Sequence, residues 1–100
     1  MITDRKPRVL VSDALSPTAV AIFEQNGCEV DFQPNLGKDK DALQAIIGDY
    51  DGLAIRSATK ATEKLIDAAT NLRVIGRAGI GVDNVDLKAA SRRGIIVMNT

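Results

Sequence analysis

Short runs of apolar residues recur along the chain at nearly regular intervals. They begin near residues 9, 29, 52, 73 and 95, roughly one strand and one crossover helix apart. Most are β-branched or aliphatic throughout, as in strands buried on both faces of a parallel sheet. The run from Glu29 to Phe32 alternates between polar and apolar residues instead, which is typical of an edge strand. The pattern therefore predicts five strands, centred on Val9–Val11, Glu29–Phe32, Leu53–Ile55, Arg73–Ile75 and Ile95–Val97.

The segments between these runs carry apolar residues at helical spacing. Four apolar faces are predicted: Ala19, Val20, Ile22 and Phe23; then Leu43, Ile46 and Ile47; then Leu65, Ile66, Ala68 and Ala69; then Leu87, Ala89 and Ala90. Residues typical of helix N-termini precede these apolar faces. Ser16 followed by Pro17 is typical of the start of the first helix. Thr62 is a candidate cap for the third helix, and either Asn84 or Asp86 for the fourth.

Glycines mark the predicted helix ends. Gly27, Gly48 and Gly94 each follow the last apolar position of a helix, where a left-handed residue is favoured.

Five strands alternating with four helices predict an α/β fold with an open, doubly wound parallel sheet. Right-handed crossovers and helices on both faces favour the flavodoxin-like strand order 2-1-3-4-5. We expect residues 1–7 to form a flexible tail and residues 8–100 to form the sheet domain. Ligands of such sheets bind outside the carboxyl ends of the strands, so the residues that follow each strand are the candidates for function.

The amino-acid composition excludes several classes of function and of chemistry. Lysine and arginine number 13 and aspartate and glutamate 13, so the basic excess expected of a nucleic-acid or membrane-surface protein is missing. A single cysteine allows no disulfide within the chain, and we expect a cytoplasmic protein without a signal peptide or membrane span. The chain has no histidine, which makes a zinc site improbable and removes the commonest acid–base group. We expect no metal site and no catalytic residue here.

Two arginines follow neighbouring strands of the predicted sheet. Arg56 comes directly after the third strand, and Arg77 comes one glycine after the fourth. Both should emerge at the same rim, where two guanidinium groups can hold a carboxylate or phosphate. Considered singly, each is more often an ordinary surface residue. Together at the ligand edge, they favour anion binding.

A glycine-rich stretch follows the fourth strand. Gly76, Gly79 and Gly81 read G-x-x-G-x-G rather than the dinucleotide pattern G-x-G-x-x-G, and no acidic residue stands about 20 positions later. The stretch is better interpreted as a loop whose backbone N–H groups cradle an anion. A tight turn with glycines for steric reasons is the plainer alternative.

Four segments together resemble the D-isomer-specific 2-hydroxyacid dehydrogenase family, and within it the branch that acts on 3-phosphoglycerate. They are VLVSD from Val9, IRSAT from Ile55, VIGRAGIGVDNVDL from Val74 and GIIVMNT from Gly94. The resemblance implies the substrate-binding portion of a two-domain enzyme that oxidises 3-phospho-D-glycerate to 3-phosphohydroxypyruvate with NAD, the first step of phosphorylated serine biosynthesis. It also implies a homo-oligomer, and a nucleotide-binding domain that this chain does not contain.

The resemblance also implies roles for particular residues. Arg56, with Ser57 beside it, matches the arginine that contacts the substrate phosphate, and Arg77 matches a second cationic residue near that anion. Gly79 and Ile80 match a loop whose amides hold the substrate carboxylate, and Asn99 matches an asparagine at the interdomain cleft.

Two positions depart from the family pattern. Ile80 stands where relatives often carry a threonine that touches the cofactor, so only a weak backbone or apolar contact to NAD is expected there. Ala58 stands where some relatives carry a further arginine, so the phosphate pocket is less cationic than theirs.

Two alternatives stay open. One is another branch of the family that acts on a different 2-hydroxy acid. The other is a free-standing flavodoxin-like binding module, although Arg56 at the end of the third strand disfavours a phosphoacceptor domain and the three aromatic residues disfavour a flavin site. If the chain is a portion of a larger enzyme, we also expect some apolar surface to be uncovered.

Overall fold

A computed structural model describes residues 6–78 and 84–99 of the chain. It contains five strands, which are β1 Arg8–Val11, β2 Glu29–Phe32, β3 Gly52–Ile55, β4 Val74–Arg77 and β5 Ile96–Asn99. Its α-helices are α1 Pro17–Gln25, α2 Lys40–Ile46, α3 Glu63–Ala68 and α4 Leu87–Arg92. Two short 3-10 turns, Leu36–Lys38 and Ile47–Asp49, flank α2.

The strands form one parallel sheet in the order β2-β1-β3-β4-β5. This confirms the α/β class, the predicted strand order and the edge position of β2. Each strand was located within two residues of its predicted bounds, with β4 and β5 extending further toward their carboxyl ends than the apolar runs suggested. The extension matters because it carries Arg77 and Asn99 into the hydrogen-bonded ladder as register partners.

Most helix signals are confirmed. Ser16, Thr62 and Asp86 are N-caps whose side chains accept from backbone N–H groups of the first turn. Gly27 and Gly94 have positive φ angles of 84° and 70°. The prediction that Gly48 is a left-handed helix end was wrong. The chain tightens after α2 into the 3-10 turn Ile47–Asp49, and Gly48 keeps a right-handed backbone conformation within it.

The helices cover the two faces of the sheet unequally. The larger core lies between the sheet and α2, α3 and α4, and it includes Leu43, Ile55 and Ile66. The smaller core lies on the α1 side, where Ala19 and Phe23 pack against the sheet. Two apolar positions predicted to face a core are exposed instead, Ile22 of α1 at 52% and Leu87, the first residue of α4, at 48%.

The α1 face of β5 is uncovered in the described part of the chain. Val97 packs against the larger core, so its neighbours Ile96 and Met98 face the other side, where they are 63% and 50% exposed. Their register partners on β4 are Val74 and Gly76. This is the uncovered apolar surface that the sequence led us to expect.

A separate cluster closes the amino-terminal edge of the sheet. The Tyr50 hydroxyl donates a hydrogen bond to the Asp31 carboxylate, which also accepts from Gln33. The Arg8 guanidinium lies 4.8 Å from the centre of the Tyr50 ring, a cation–π contact, and the Arg8 amide donates to Asp51 at 2.8 Å. Burial and the neighbouring Asp31 carboxylate raise the pKa of Tyr50 to about 12.

Tyr50→Phe should lower the free energy of unfolding by about 2 kcal/mol near neutral pH, because the hydrogen bond to a charged carboxylate is lost. The pKa of Tyr50 is raised on folding, so its contribution is complete below about pH 10 and is lost as pH rises toward about 12. Urea unfolding followed by circular dichroism should show that the free energies of unfolding of the variant and of the parent chain converge between about pH 10 and about pH 12. A constant difference between the two across that pH range would contradict this account.

Ile96→Thr should weaken self-association of the 100-residue chain, because it removes the more exposed apolar side chain of the uncovered face. Ile22→Thr is the matched control, since Ile22 is also half exposed but lies on α1. Sedimentation velocity over a range of concentrations measures both. A parent chain that is monomeric throughout would refute the expectation.

Candidate functional site

The carboxyl edge of the sheet is organised by a buried polar cluster, which consists of Ser12, Asp13 and Thr59. Ser12 and Asp13 follow β1, and Thr59 lies within the loop between β3 and α3. All three are almost completely buried. The Thr59 hydroxyl lies 2.7 Å from the Ser12 hydroxyl and 2.9 Å from Asp13 Oδ1. The cluster therefore ties together the loops that follow two neighbouring strands.

Asp13 holds the loop after β3 by its backbone. Its Oδ2 accepts from the Arg56 amide at 2.7 Å and from the Thr59 amide at 3.0 Å. A carboxylate that accepts two amides and a hydroxyl fixes the chain between them, because charge-assisted hydrogen bonds are stronger than neutral ones. The backbone position of Arg56 is thus set by a residue of the loop that follows β1.

Gly37 closes this cluster from the loop after β2. Its amide donates to the Ser12 carbonyl at 2.8 Å. A Cβ at this position would collide with Thr59 Oγ1 and Asp13 Oδ1. Only glycine lets the first 3-10 turn approach so closely.

Asn84 joins the loop after β3 to the segment that precedes α4. Its side-chain amide donates to the Arg56 carbonyl at 2.6 Å and to the Thr59 carbonyl at 2.7 Å. Its Oδ1 accepts from Arg77 Nε at 2.6 Å. Its backbone adds a fourth hydrogen bond, since the Ala61 amide donates to the Asn84 carbonyl, and Ala61 also forms a β-bridge with Val85. Asn84 therefore links two loops by hydrogen bonds. It is not the N-cap of α4, which is Asp86.

Arg56 and Arg77 lie at the same rim, but their guanidinium groups do not converge there, contrary to what the sequence led us to expect. Arg77 is the register partner of Ile55, so Arg56 and Arg77 stand one residue apart across adjacent strands. Their side chains leave the rim in different directions. The Arg56 guanidinium donates to the Ala14 carbonyl at 3.1 Å, on the α1 side, whereas Arg77 contacts Asn84, on the side of α3 and α4. An anion held by both would sit over the ends of β3 and β4 and would require one side chain to turn.

Arg56 is exposed and bonds a neutral carbonyl, not a carboxylate. Among the described residues its side chain forms no ion pair, so its positive charge remains available to an anion at the rim. Ser57 is exposed beside it. Gly79 and Ile80 lie outside the described residues, and Asn99 is described only as the last backbone position of β5.

The sequence interpretation missed the roles of Asp13, Thr59 and Asn84. Asn84 is considered from the sequence only as a candidate cap of the fourth helix, and no role is assigned there to Asp13 or Thr59. One signal could have found Asp13, because an aspartate directly after a buried strand needs hydrogen-bond partners wherever it is buried. No spacing rule indicates that those partners lie 43 and 46 residues away.

Thr59→Val should lower the free energy of unfolding by about 2 kcal/mol, because it removes, at almost unchanged volume, the buried hydroxyl that bonds Asp13 Oδ1 and the Ser12 hydroxyl. The backbone bonds to Asp13 Oδ2 remain in the variant. Thr18→Val is the matched control, since Thr18 is an exposed residue of α1. Urea unfolding measures both. Equal stability of the two variants would show that the cluster does not hold the edge together.

Comparison with known proteins identifies the fold and the family. The family model described as the catalytic domain of D-isomer specific 2-hydroxyacid dehydrogenases matches residues 9–100. The chain is similar to D-3-phosphoglycerate dehydrogenase of Sus scrofa, with 52% identity over 93 residues, or 93% of this chain and 17% of that protein. The Synechocystis protein of the same name is 44% identical over 93 residues, or 93% of this chain and 16% of that protein.

A solved structure agrees. The NAD+-bound 3-phosphoglycerate dehydrogenase of Entamoeba histolytica superposes with a TM-score of 0.83 at 33% identity, over 96% of this chain and 33% of that one. The chain thus spans about a sixth of the length of the curated relatives it matches. Since the family model covers nearly every residue, the chain belongs to the D-isomer specific 2-hydroxyacid dehydrogenase family, in its catalytic domain.

Proposed function

We propose that this chain is the substrate-binding portion of an NAD-dependent D-3-phosphoglycerate dehydrogenase, which oxidises 3-phospho-D-glycerate to 3-phosphohydroxypyruvate and so opens phosphorylated serine biosynthesis. The observation that carries the proposal is the exposed side chain of Arg56 at the carboxyl edge of the sheet, on a backbone that Asp13 and Asn84 hold in place. Relatives bearing this enzyme name match the chain at up to 52% identity, which favours this branch over others of the family.

The chain's own residues would bind and orient the substrate. Arg56 would contact the phosphate, with Ser57 beside it and Arg77 supplying a second positive charge. The amides of Gly79 and Ile80 would hold the carboxylate, and Asn99 would face the cleft. Holding both ends of a small dianion fixes the carbon between them for reaction, and such positioning lowers the barrier without any bond being made by these residues.

The chain's residues do not make a dinucleotide site by themselves. The loop after β4 has the wrong glycine spacing, and the next strand, β5, ends at Asn99 rather than at an acidic residue that could bind a ribose. The chain also lacks histidine. We therefore assign NAD binding, apart from a weak contact at Ile80, and the proton-transfer group to a nucleotide-binding domain outside residues 8–100.

The remaining parts of the proposal concern assembly and location. We propose a homo-oligomeric, cytoplasmic enzyme whose partner is a small anionic substrate and not nucleic acid or a membrane. The balanced charge of the chain supports the part of this proposal that excludes nucleic acid and a membrane surface as partners. In the part of the chain that is described, no helix is long and apolar enough to cross a bilayer.

In the longer protein that contains this chain, Arg56→Ala should lower kcat/KM for 3-phosphoglycerate on the order of 100-fold, mainly through KM, because a charged hydrogen bond to the phosphate is lost. Arg56→Lys should recover part of the loss, since lysine keeps the charge but not the planar fork. Arg73→Ala is the control, because Arg73 precedes β4 at the opposite edge of the sheet. NADH formation measures all three.

Two results would overturn the proposal. Wild-type activity with lactate or glycerate but none with 3-phosphoglycerate would move the protein to another branch. An unchanged KM in Arg56→Ala would remove Arg56 from the phosphate site.

A further inference from the structure

A cavity of about 570 Å³ lies between α2 and α3, beside the first 3-10 turn. This size is typical of small-molecule pockets. Its lining includes four lysines, Lys38, Lys40, Lys60 and Lys64, and a single acidic residue, Asp41. We call it the lysine cavity. Although the chain has no net charge, the residues that line this cavity carry a marked excess of positive charge.

The four ammonium groups have no partners within residues 6–78 and 84–99. None of them forms a hydrogen bond or an ion pair there. The arginines on α4 behave differently, because Arg92 pairs with Glu63 and Arg93 with Asp67. Four positive charges that face one cavity against a single carboxylate, Asp41, attract an anion, and walls of low dielectric constant focus that attraction.

The walls of the lysine cavity are partly apolar. Leu43 from α2 and Leu65 from α3 line it but are almost completely buried. The apolar surface open to a ligand is therefore that of Ala58 and of the aliphatic stems of the exposed lysines. Four positive charges exceed what a single phosphate needs, and the volume exceeds that of a bare inorganic anion. The lining therefore suits a molecule that carries two adjacent phosphates on an organic body.

The lysine cavity is separate from the rim that carries Arg56 and Arg77, since neither arginine lines it. The two share one element, because Ala58 lines the cavity and belongs to the same loop as Arg56. The backbone of that loop is fixed by Asp13 and Asn84, so a ligand in the cavity would bind against a rigid wall.

We propose that the lysine cavity is a binding site for an organic diphosphate of the nucleoside diphosphate type, distinct from the substrate site. The ammonium groups of Lys38, Lys40, Lys60 and Lys64 contact the diphosphate, and Ala58 and the aliphatic stems of the lysines contact the organic body. The proposal does not depend on the chain's being part of a phosphoglycerate dehydrogenase.

Titration with ADP, pyrophosphate and inorganic phosphate, followed by the backbone amide resonances of the chain, tests the proposal. ADP should cause saturable shifts centred on Gly37, Ala58 and Gln44, with affinity in the order ADP, pyrophosphate, phosphate. Affinity for ADP should fall at least tenfold in the double variant Lys40→Gln/Lys64→Gln. Lys88→Gln is the matched control, since Lys88 lies on α4 away from the cavity, and it should bind as the parent chain does.

Three results would overturn the proposal. They are the absence of saturable shifts at the cavity, an equal loss of affinity in the Lys88→Gln control, and pyrophosphate binding as tightly as ADP, which would leave no role for the apolar walls. Arg56→Ala should leave ADP binding unchanged. A loss of ADP binding in that variant would be a fourth result against the proposal, because it would place the diphosphate at the rim and not in the lysine cavity.

Discussion

The carboxylate of Asp13 is the contact on which the functional edge depends. It accepts hydrogen bonds from two backbone amides and a hydroxyl of the loop after β3, all in a place where water is almost excluded. An unpaired carboxylate there would be very costly, so the loop has one conformation in which all three donors are satisfied. Within the described residues, no buried side-chain nitrogen or oxygen is left without a partner.

Much of the architecture could be predicted from the sequence because it depends on local patterns. Runs of β-branched residues, N-caps at Ser16 and Thr62, and left-handed glycines at positions 27 and 94 each act within a few residues. Together with the right-handed crossover rule they specify the strand order. Gly48 shows the limit of this reasoning, because the same residue suits a helix end and a 3-10 turn equally well.

The site was harder to predict than the fold. Position after a strand was enough to bring Arg56 and Arg77 to one rim. The direction of each side chain was not predictable, because alternation along the strands and partners from distant segments decide it. The carbonyl that accepts from the Arg56 guanidinium belongs to Ala14, which is 42 positions away in the sequence. The hydrogen bonds of Asn84 depend on a close approach of two loops that no spacing rule describes.

Tyr50 gives the molecule an internal optical reporter. It is the only tyrosine of a chain without tryptophan, and it is 4% exposed beneath Arg8 at the amino-terminal edge of the sheet. Near-ultraviolet signals from the phenol therefore come from a single place, at the edge opposite the arginine rim. Ligands that bind at the carboxyl ends of the strands should leave that spectrum unchanged, whereas loosening of the β1–β3 pairing should alter it before the sheet as a whole is lost.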